Sequence, residues 1–348
     1  MAKKKETSKV NNLQDLEGIG PITLKKLIAV GVKIPHDIIM MGSQELSQVT
    51  GKDKDESIKI VENVKNQLED AGKLTRVRSW KELEDWEAKQ FHLPCGCSSL
   101  DNMLGGGIES QGLTEIYGEE GAGKTQWMET LVVNTASNAK AVFIIDCEGT
   151  TNTKRMLEIA SVRGLQLDVN KILLARVQDA DELESVVKSC TQEIIDNDVK
   201  LILVDGLMGK YRMEYDRGRG ELNTRQNDIK VVIRRLQNMA EYLNIAVLLT
   251  NQVMGNPDSG WGADPIKPIG GHVYGHNVKH IIKITKGKDT KRIARIIKSH
   301  KFPKYDCEFY LNAAGVWPEE TFKSLDAVLT SNFGSEREEL SESLRKQA

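Results

Sequence analysis

From residue 93 onward, short uninterrupted apolar runs alternate with stretches of helical periodicity. The runs fall at 113–117, 141–146, 172–176, 201–205, 245–251, 280–285 and 293–298, and helical spacing is clearest over 179–197 and 224–243. Strands that are apolar on both faces and separated by helices predict a mainly parallel sheet covered on each side. The expected fold class is therefore α/β, with the core spanning 93–330. Ahead of it, residues 13–70 carry apolar positions three and four apart and no strand-like run, which predicts a small all-α unit. Residues 71–92 are charged and lack a period, apart from Trp80 and Trp86, and read as a linker. Residues 1–12, with Lys3, Lys4, Lys5 and Lys9, read as a disordered basic arm, and 331–348 as a polar tail.

Composition narrows the class without deciding it. A chain of 348 residues, 39% hydrophobic and 28% charged, holds one large core plus a small extra domain and is ordinary for a soluble protein. No apolar run approaches the roughly 20 residues of a membrane span, and no signal-like segment opens the chain, so no membrane partner is expected. The formal net charge of −2 means that any nucleic-acid contact rests on local basic patches. Five cysteines without paired spacing point to a reducing compartment and buried thiols. Cys95-Gly96-Cys97 lacks the second pair a zinc site needs.

The chemistry falls at the ends of the apolar runs, where an open parallel sheet gathers its ligands. Gly118-Glu119-Glu120-Gly121-Ala122-Gly123-Lys124-Thr125 is a complete G-x-x-x-x-G-K-T loop between a strand and a helix that begins with Gln126. Its backbone N–H groups would cradle phosphate oxygens, Lys124 would reach the terminal phosphates, and the Thr125 hydroxyl would ligate Mg²⁺. The run ending in Asp146-Cys147-Glu148 offers Glu148 as a general base that polarises the attacking water; a salt bridge or cap at the strand end is the structural alternative. The run 201–204 followed by Asp205 has the form of a Walker B strand, with Asp205 holding the magnesium through water. Residues 245–251 lead into Gln252, an amide placed to contact a γ-phosphate or the lytic water. The stretch 253–279 that follows has little regular pattern and carries Trp261, Lys267, Gly270, Gly271, His272 and His276. A second charged stretch, 210–226, interleaves Arg212, Arg217, Arg219 and Arg225 with Tyr211 and Tyr215; it suits single-stranded nucleic acid or is a solvated face. Near the start, Gly18-Ile19-Gly20 lies between two apolar-periodic stretches, with Lys25 and Lys26 one turn later. This is a helix–hairpin–helix pattern suited to gripping a DNA phosphate, and a helical hairpin for protein contact has the same outline.

Together these segments resemble the archaeal RadA recombinases, members of the RecA-type strand-exchange ATPase family. The likeness runs from the helix–hairpin–helix to about Val316. It rests on Leu104-Gly-Gly-Gly-Ile108-Glu-Ser-Gln111, the phosphate loop continuing into Gln126, Asp146-Cys-Glu148-Gly149-Thr150, Glu214-Tyr215 with Arg225-Gln226, Thr250-Asn251-Gln252-Val253 and Pro268-Ile-Gly270-Gly271-His272. The resemblance implies a RecA-like P-loop ATPase core that uses ATP and Mg²⁺. It further implies self-association into a filament or ring on single-stranded DNA, pairing with double-stranded DNA, and recombination mediators as further partners. By the same comparison, residues 212–226 and 253–279 are the two DNA-binding loops, Arg155 stacks on adenine, and His276 senses the γ-phosphate of a neighbouring subunit. The small N-terminal domain would contact duplex DNA, and the location would be an archaeal cytoplasm, beside the nucleoid.

Several positions depart from that family's pattern. Gly206 follows the Walker B aspartate where a serine is usual, and Thr151 and Asn152 replace an aromatic and an arginine. The first DNA loop gains a residue at Asp216-Arg217, and the second has Gly260-Trp261 in place of paired aromatics. In the linker, Lys73-Leu74-Thr75 offers only Leu74 where the family inserts a phenylalanine into the next subunit. Lys298, in Lys298-Ser-His-Lys301-Phe-Pro303, replaces an acidic residue, and Lys298 or Lys301 would neutralise γ-phosphate charge across a subunit interface; a solvated surface lysine is the alternative. These departures keep a second reading open: a RadA-like paralogue that binds ATP and DNA and loads or regulates the recombinase with little hydrolysis. A ring helicase motor fits the N-terminal pattern less well.

Overall fold

The computed structural model describes residues 12–70, 80–214, 222–255, 266–269 and 277–318. After a short 3₁₀ turn come α1 (Pro21–Ala29), α2 (Pro35–Thr50), α3 (Lys54–Asp70) and α4 (Trp80–Glu87). The core begins with β1 (His92–Leu93), α5 (Ser98–Met103), β2 (Ile108–Glu109), β3 (Gly112–Gly118), α6 (Lys124–Ser137), β4 (Ala141–Asp146), α7 (Thr153–Val162) and β5 (Ile172–Arg176). It continues with α8 (Ala180–Ser189), α9 (Thr191–Asp196), β6 (Val199–Asp205), α10 (Leu207–Glu214), α11 (Leu222–Tyr242) and β7 (Ala246–Asn251). The remaining strands are β8 (Val253–Gly255), β9 (Ile266–Pro268), β10 (His280–Lys286), β11 (Lys291–Ser299), β12 (Asp306–Asn312) and β13 (Gly315–Pro318).

The main sheet has the order β13-β12-β11-β10-β3-β7-β6-β4-β5. Strands β10 through β5 run parallel, and β11, β12 and β13 extend that edge antiparallel. All seven expected strands are present; β3, β4, β6 and β7 bury side chains on both faces, whereas β5 at the sheet edge is only partly buried and β11 buries Ala294 and Ile296 on one face. In β6, Ile202 and Val204 enter the core facing α8 and α11, while Leu201 and Leu203 enter the one facing α6 and α7. A strand packed this way reads as a continuous apolar run. The β12–β13 hairpin is an addition to the expected fold. It folds over α6 and α7, where Arg163 donates to the carbonyls of Ala314 (2.8 Å) and Val316 (2.6 Å) and lies 5.1 Å from the Trp317 ring.

Residues 12–70 are helical with their own core around Leu27, Ile38, Leu46 and Val64. They are locked to the sheet domain through α11. The buried guanidinium of Arg235 donates to both carboxylate oxygens of Glu45 (2.7 and 3.0 Å), and Asn238 donates to the carbonyls of Ile39 and Met40 (3.3 and 3.1 Å). The stretch expected to be an irregular linker carries α4 over Trp80–Glu87. The arm before residue 12, residues 71–79 and the polar tail lie outside the described residues. Among the described residues no helix is long and apolar enough to cross a membrane. All five cysteines are buried and none is in a disulfide.

Candidate nucleotide site

Register assembles the site. Asp146 pairs with Asp205 across β4 and β6, Tyr117 pairs with Asn251 across β3 and β7, and Ile284 of β10 pairs with Gly118. The parallel strands therefore end in one line, and the phosphate loop, Glu148, Asp205 and Gln252 follow from neighbouring tips. Gly121 and Gly123 have φ of +69° and +104°, left-handed values that a side chain would strain, so glycine lets the loop turn its N–H groups inward. Glu119, Glu120 and Gly121 are exposed along the rim, while Gly118, Ala122 and Gly123 are buried beneath it. Lys124 is 9% exposed, and its ammonium donates back to the carbonyls of Gly118 (2.9 Å) and Glu119 (3.0 Å). Burial holds the Lys124 pKa below the usual lysine range, while the carboxylates of Glu148 and Asp205 counter that effect.

Asp205 sits at the centre of a hydroxyl ring. Its Oδ2 accepts from Thr150 (3.0 Å) and faces the Thr125 hydroxyl at 3.4 Å, and Thr250 donates to its Oδ1. Burial pushes the Asp205 carboxyl above its ordinary pKa, with Glu148 adding like-charge repulsion. A buried carboxylate beside a hydroxyl offers oxygen donors, chemistry that suits Mg²⁺, so Thr125 and Asp205 fit the expected metal role. Gln252 Nε2 donates to Glu148 Oε1 at 2.9 Å, joining two of the three expected catalytic groups, the third being Lys124, at the exposed mouth.

The stretch after Gln252 is more ordered at its foot than its sequence suggests. β8 and β9 form a two-stranded antiparallel ribbon in which Lys267 opposes Met254. Ile269 N donates to the Gln252 carbonyl (3.1 Å), and Asn251 Nδ2 donates to the Ile269 carbonyl (2.8 Å). Trp261, Gly270, Gly271 and His276 lie outside the described residues, as do Tyr215, Arg217 and Arg219. Arg212 and Arg225 fall on α10 and α11 on either side of that first loop. Tyr211, expected on a base-stacking surface, is instead fully buried among the core side chains and is no stacking platform.

Other expected site residues have internal partners. The Arg155 guanidinium donates to the Gln126 side chain (3.0 Å) and to the carbonyls of Asn312 (2.6 Å) and Ala313 (3.1 Å), so it also ties α7 to the β12–β13 turn. Lys298 pairs in register with Ile281, near the start of β10, whereas the phosphate loop follows the end of β3. Its ammonium donates to the Val278 carbonyl at 3.0 Å, so within one subunit it does not face the loop. Lys301 is paired with Glu109 at 3.4 Å. In the N-terminal unit Gly18 and Gly20 are exposed at the start of α1, and Asn63 and Gln67 fix the turn by donating to the Glu17 carbonyl (2.8 and 2.9 Å). Lys25 is exposed on α1, and Lys26 donates to the Thr50 carbonyl (2.6 Å).

Thr150 and Thr250 stand in the family-like motifs with no role legible from sequence, and two buried acids had no part in the expected site. Glu129 accepts from Gln126 (2.8 Å) and the Asn152 amide (3.2 Å), and burial raises its carboxyl pKa to about 7. Glu115, at the centre of β3, accepts from Asn251 Nδ2 at 2.9 Å, and burial pushes its pKa up to about 7 as well. Each interrupts an apolar run, which was the available signal.

A phosphate loop at a central strand tip, with a carboxylate ending the parallel strand β6 one strand further along the sheet beyond β7, defines a P-loop nucleotide-binding protein of the α/β class. The chain belongs to the Rad51 family, whose model matches residues 87–319. It is 36% identical over 325 residues to a DNA repair and recombination protein RadA from Cenarchaeum symbiosum (strain A), covering 90% of this chain and 81% of the relative. A second protein of that description, from Metallosphaera sedula, is 32% identical over 322 residues, with 89% and 97% covered.

Proposed function

We propose that the chain is an ATP-dependent DNA recombinase that assembles on single-stranded DNA and promotes homologous pairing and strand exchange in repair. The observation that carries this reading is the Glu148–Gln252 hydrogen bond at the foot of the β8–β9 ribbon. It joins the candidate base for water attack to the segment assigned to DNA contact. Bound Mg²⁺ would neutralise charge on the β- and γ-phosphate oxygens. Thr125 and Asp205 would hold it, Lys124 and the loop amides would bind the phosphates, and Glu148 would orient water. Gln252 would relay the presence of the γ-phosphate to residues 253–279. The N-terminal helices, read as a helix–hairpin–helix domain, would grip duplex DNA through Gly18, Gly20, Lys25 and Lys26.

Asn152 favours the regulatory alternative. It caps α7 by accepting from the amides of Lys154 and Arg155, so it performs a structural task where the resemblance expects an arginine. The deciding experiment measures ATP hydrolysis with and without single-stranded DNA, with Lys124→Ala as the blank and negative-stain imaging of the same mixtures. DNA-stimulated turnover with filaments supports the recombinase. Nucleotide binding without stimulation or filaments defeats it in favour of the regulator.

A further inference from the structure

Gly206 follows Asp205 at the tip of β6 with φ of +77°. A Cβ built on its backbone would lie 2.3 Å from Glu148 Cγ, 2.4 Å from Oε1 and 2.7 Å from Cδ. These separations are far inside van der Waals contact, and three atoms of one side chain share them. Glu148 therefore lies flat across the space that any other residue at 206 would fill. In that pose its Oε1 accepts from Gln252 at 2.9 Å.

The backbone beneath is held from both sides. Gly206 N donates to Thr250 Oγ1 at 2.7 Å, that hydroxyl donates to Asp205, and Cys147 N donates to the Asp205 carbonyl at 3.1 Å. Residue 206 thus cannot retreat without disturbing the carboxylate next to it. Relief of a Cβ collision falls on the exposed Glu148 side chain, which leaves Gln252.

We propose that Gly206 is a positioning residue, whose bare Cα forms the seat that keeps the Glu148 carboxylate beside Gln252 and the nucleotide. This rests on the hydrolytic reading of Glu148 given above. Because the seat is the space of an absent methyl group, even alanine removes it. The expected signature is loss of turnover with retention of nucleotide binding, since Lys124 and the loop amides do not touch the seat.

The test compares full-length wild type with Gly206→Ala. DNA-stimulated kcat for ATP should fall by about 10²-fold, the lower range for a displaced general base, with nucleotide affinity within about twofold. Gln252→Ala should lower kcat in the wild type and add nothing in the Gly206→Ala background. Gly164→Ala controls for backbone strain, because Gly164 has φ of +65° with nothing within 4 Å of a built Cβ. It should lose comparable thermal stability and keep its kcat. A Gly206→Ala protein that turns over at the parental rate, or loses kcat and affinity in step, overturns the proposal.

Should Gly206→Ala fail to fold, Glu148→Ala in the same chain removes the collision and should restore a thermal transition that lies below that of Glu148→Ala by only the backbone-strain loss seen in Gly164→Ala. A double variant no more stable than Gly206→Ala also overturns the seat. Failure of the hydrolytic reading is a separate outcome: Glu148→Gln would then hydrolyse ATP like the wild type, while the stability comparison would still report on the seat.

Discussion

Glu115→Gln should make the protein more stable at alkaline pH and leave it unchanged in mild acid. Glu115 is 1% exposed in the central strand, with one oxygen taken by Asn251 and the other without a hydrogen-bond partner among the described residues. Burial raises its pKa from the ordinary 4.5 to about 7. The folded carboxyl then keeps its proton over a range where the unfolded one has lost it. The stability contributed by that proton is complete below 4.5 and is lost as pH rises through 7. The gap corresponds to about 3 kcal/mol, at about 1.4 kcal/mol per tenfold change in proton affinity. Glutamine keeps the acceptor for Asn251 and never ionises. Urea titrations of both proteins at matched ionic strength should give equal unfolding free energies near pH 4.5, diverging to about 3 kcal/mol in the variant's favour at pH 8.5. Parallel pH profiles, with no divergence, would refute a buried carboxyl titrating near neutrality.

Breaking the interdomain pair should be costly in one direction only. Glu45→Ala leaves Arg235 buried and uncompensated, with an expected loss of about 3–5 kcal/mol and faster proteolytic release of residues 12–70. Joint replacement of both by apolar residues of similar size should return stability close to the parent in the same thermal scan. Thr250→Val removes a hydrogen bond to the Asp205 carboxylate, worth about 1.5–3 kcal/mol, and should raise the magnesium concentration for half-maximal ATP binding by roughly tenfold or more. The five cysteines are buried, and burial drives their thiol pKa values up, to about 12 for Cys147, Cys190 and Cys307. Iodoacetamide should label them only on unfolding, as followed by intact mass; rapid labelling of the native protein would contradict the packing.

The central parallel strands were legible because burial on both faces makes their runs nearly continuously apolar, with Thr114 and Glu115 the interruptions in β3. The β12–β13 hairpin was not. Its first strand alternates Cys307, Phe309 and Leu311 with Glu308 and Tyr310, a one-sided pattern that a search for continuous apolar runs passes over. In α4, Leu83 and Trp86 are half-buried at helical spacing, but the charges between them mask the period. The site separates along the same line. Motifs whose chemistry is local, such as the phosphate loop and the aspartate ending β6, stand in the sequence. Partnerships across the sheet do not: Glu115 meets Asn251 from 136 residues away, and the Glu148–Gln252 pair spans 104. Lys298 shows the converse. Its charge suggests phosphate, but only strand register reveals that it lies toward the other end of the sheet from its own loop.

Coupling between the nucleotide site and the segment proposed to contact DNA needs no long pathway here, because three consecutive residues hold both ends. Thr250 supports Asp205 and Gly206, Asn251 bridges Glu115 to the Ile269 carbonyl, and Gln252 joins Glu148 while its carbonyl accepts from Ile269 N. The β8–β9 ribbon beyond them has three residues in each strand, and a two-stranded ribbon of that length is marginal by itself. Its persistence therefore depends on the contacts at its foot. Withdrawing Gln252 toward a different partner would loosen the ribbon directly, with the polar groups of Asn251 and Ile269 as the hinge. A coupling claim requires an element with two arrangements whose balance both sites bias. The ribbon foot meets the structural part of that requirement, since it shares side chains with the nucleotide edge and backbone with the loop. Cross-linking β8 to β9 through Met254→Cys and Lys267→Cys should hold the loop base closed, and DNA affinity should then cease to depend on whether ATP or ADP is bound. Persistent nucleotide dependence in the cross-linked protein would place the switch elsewhere.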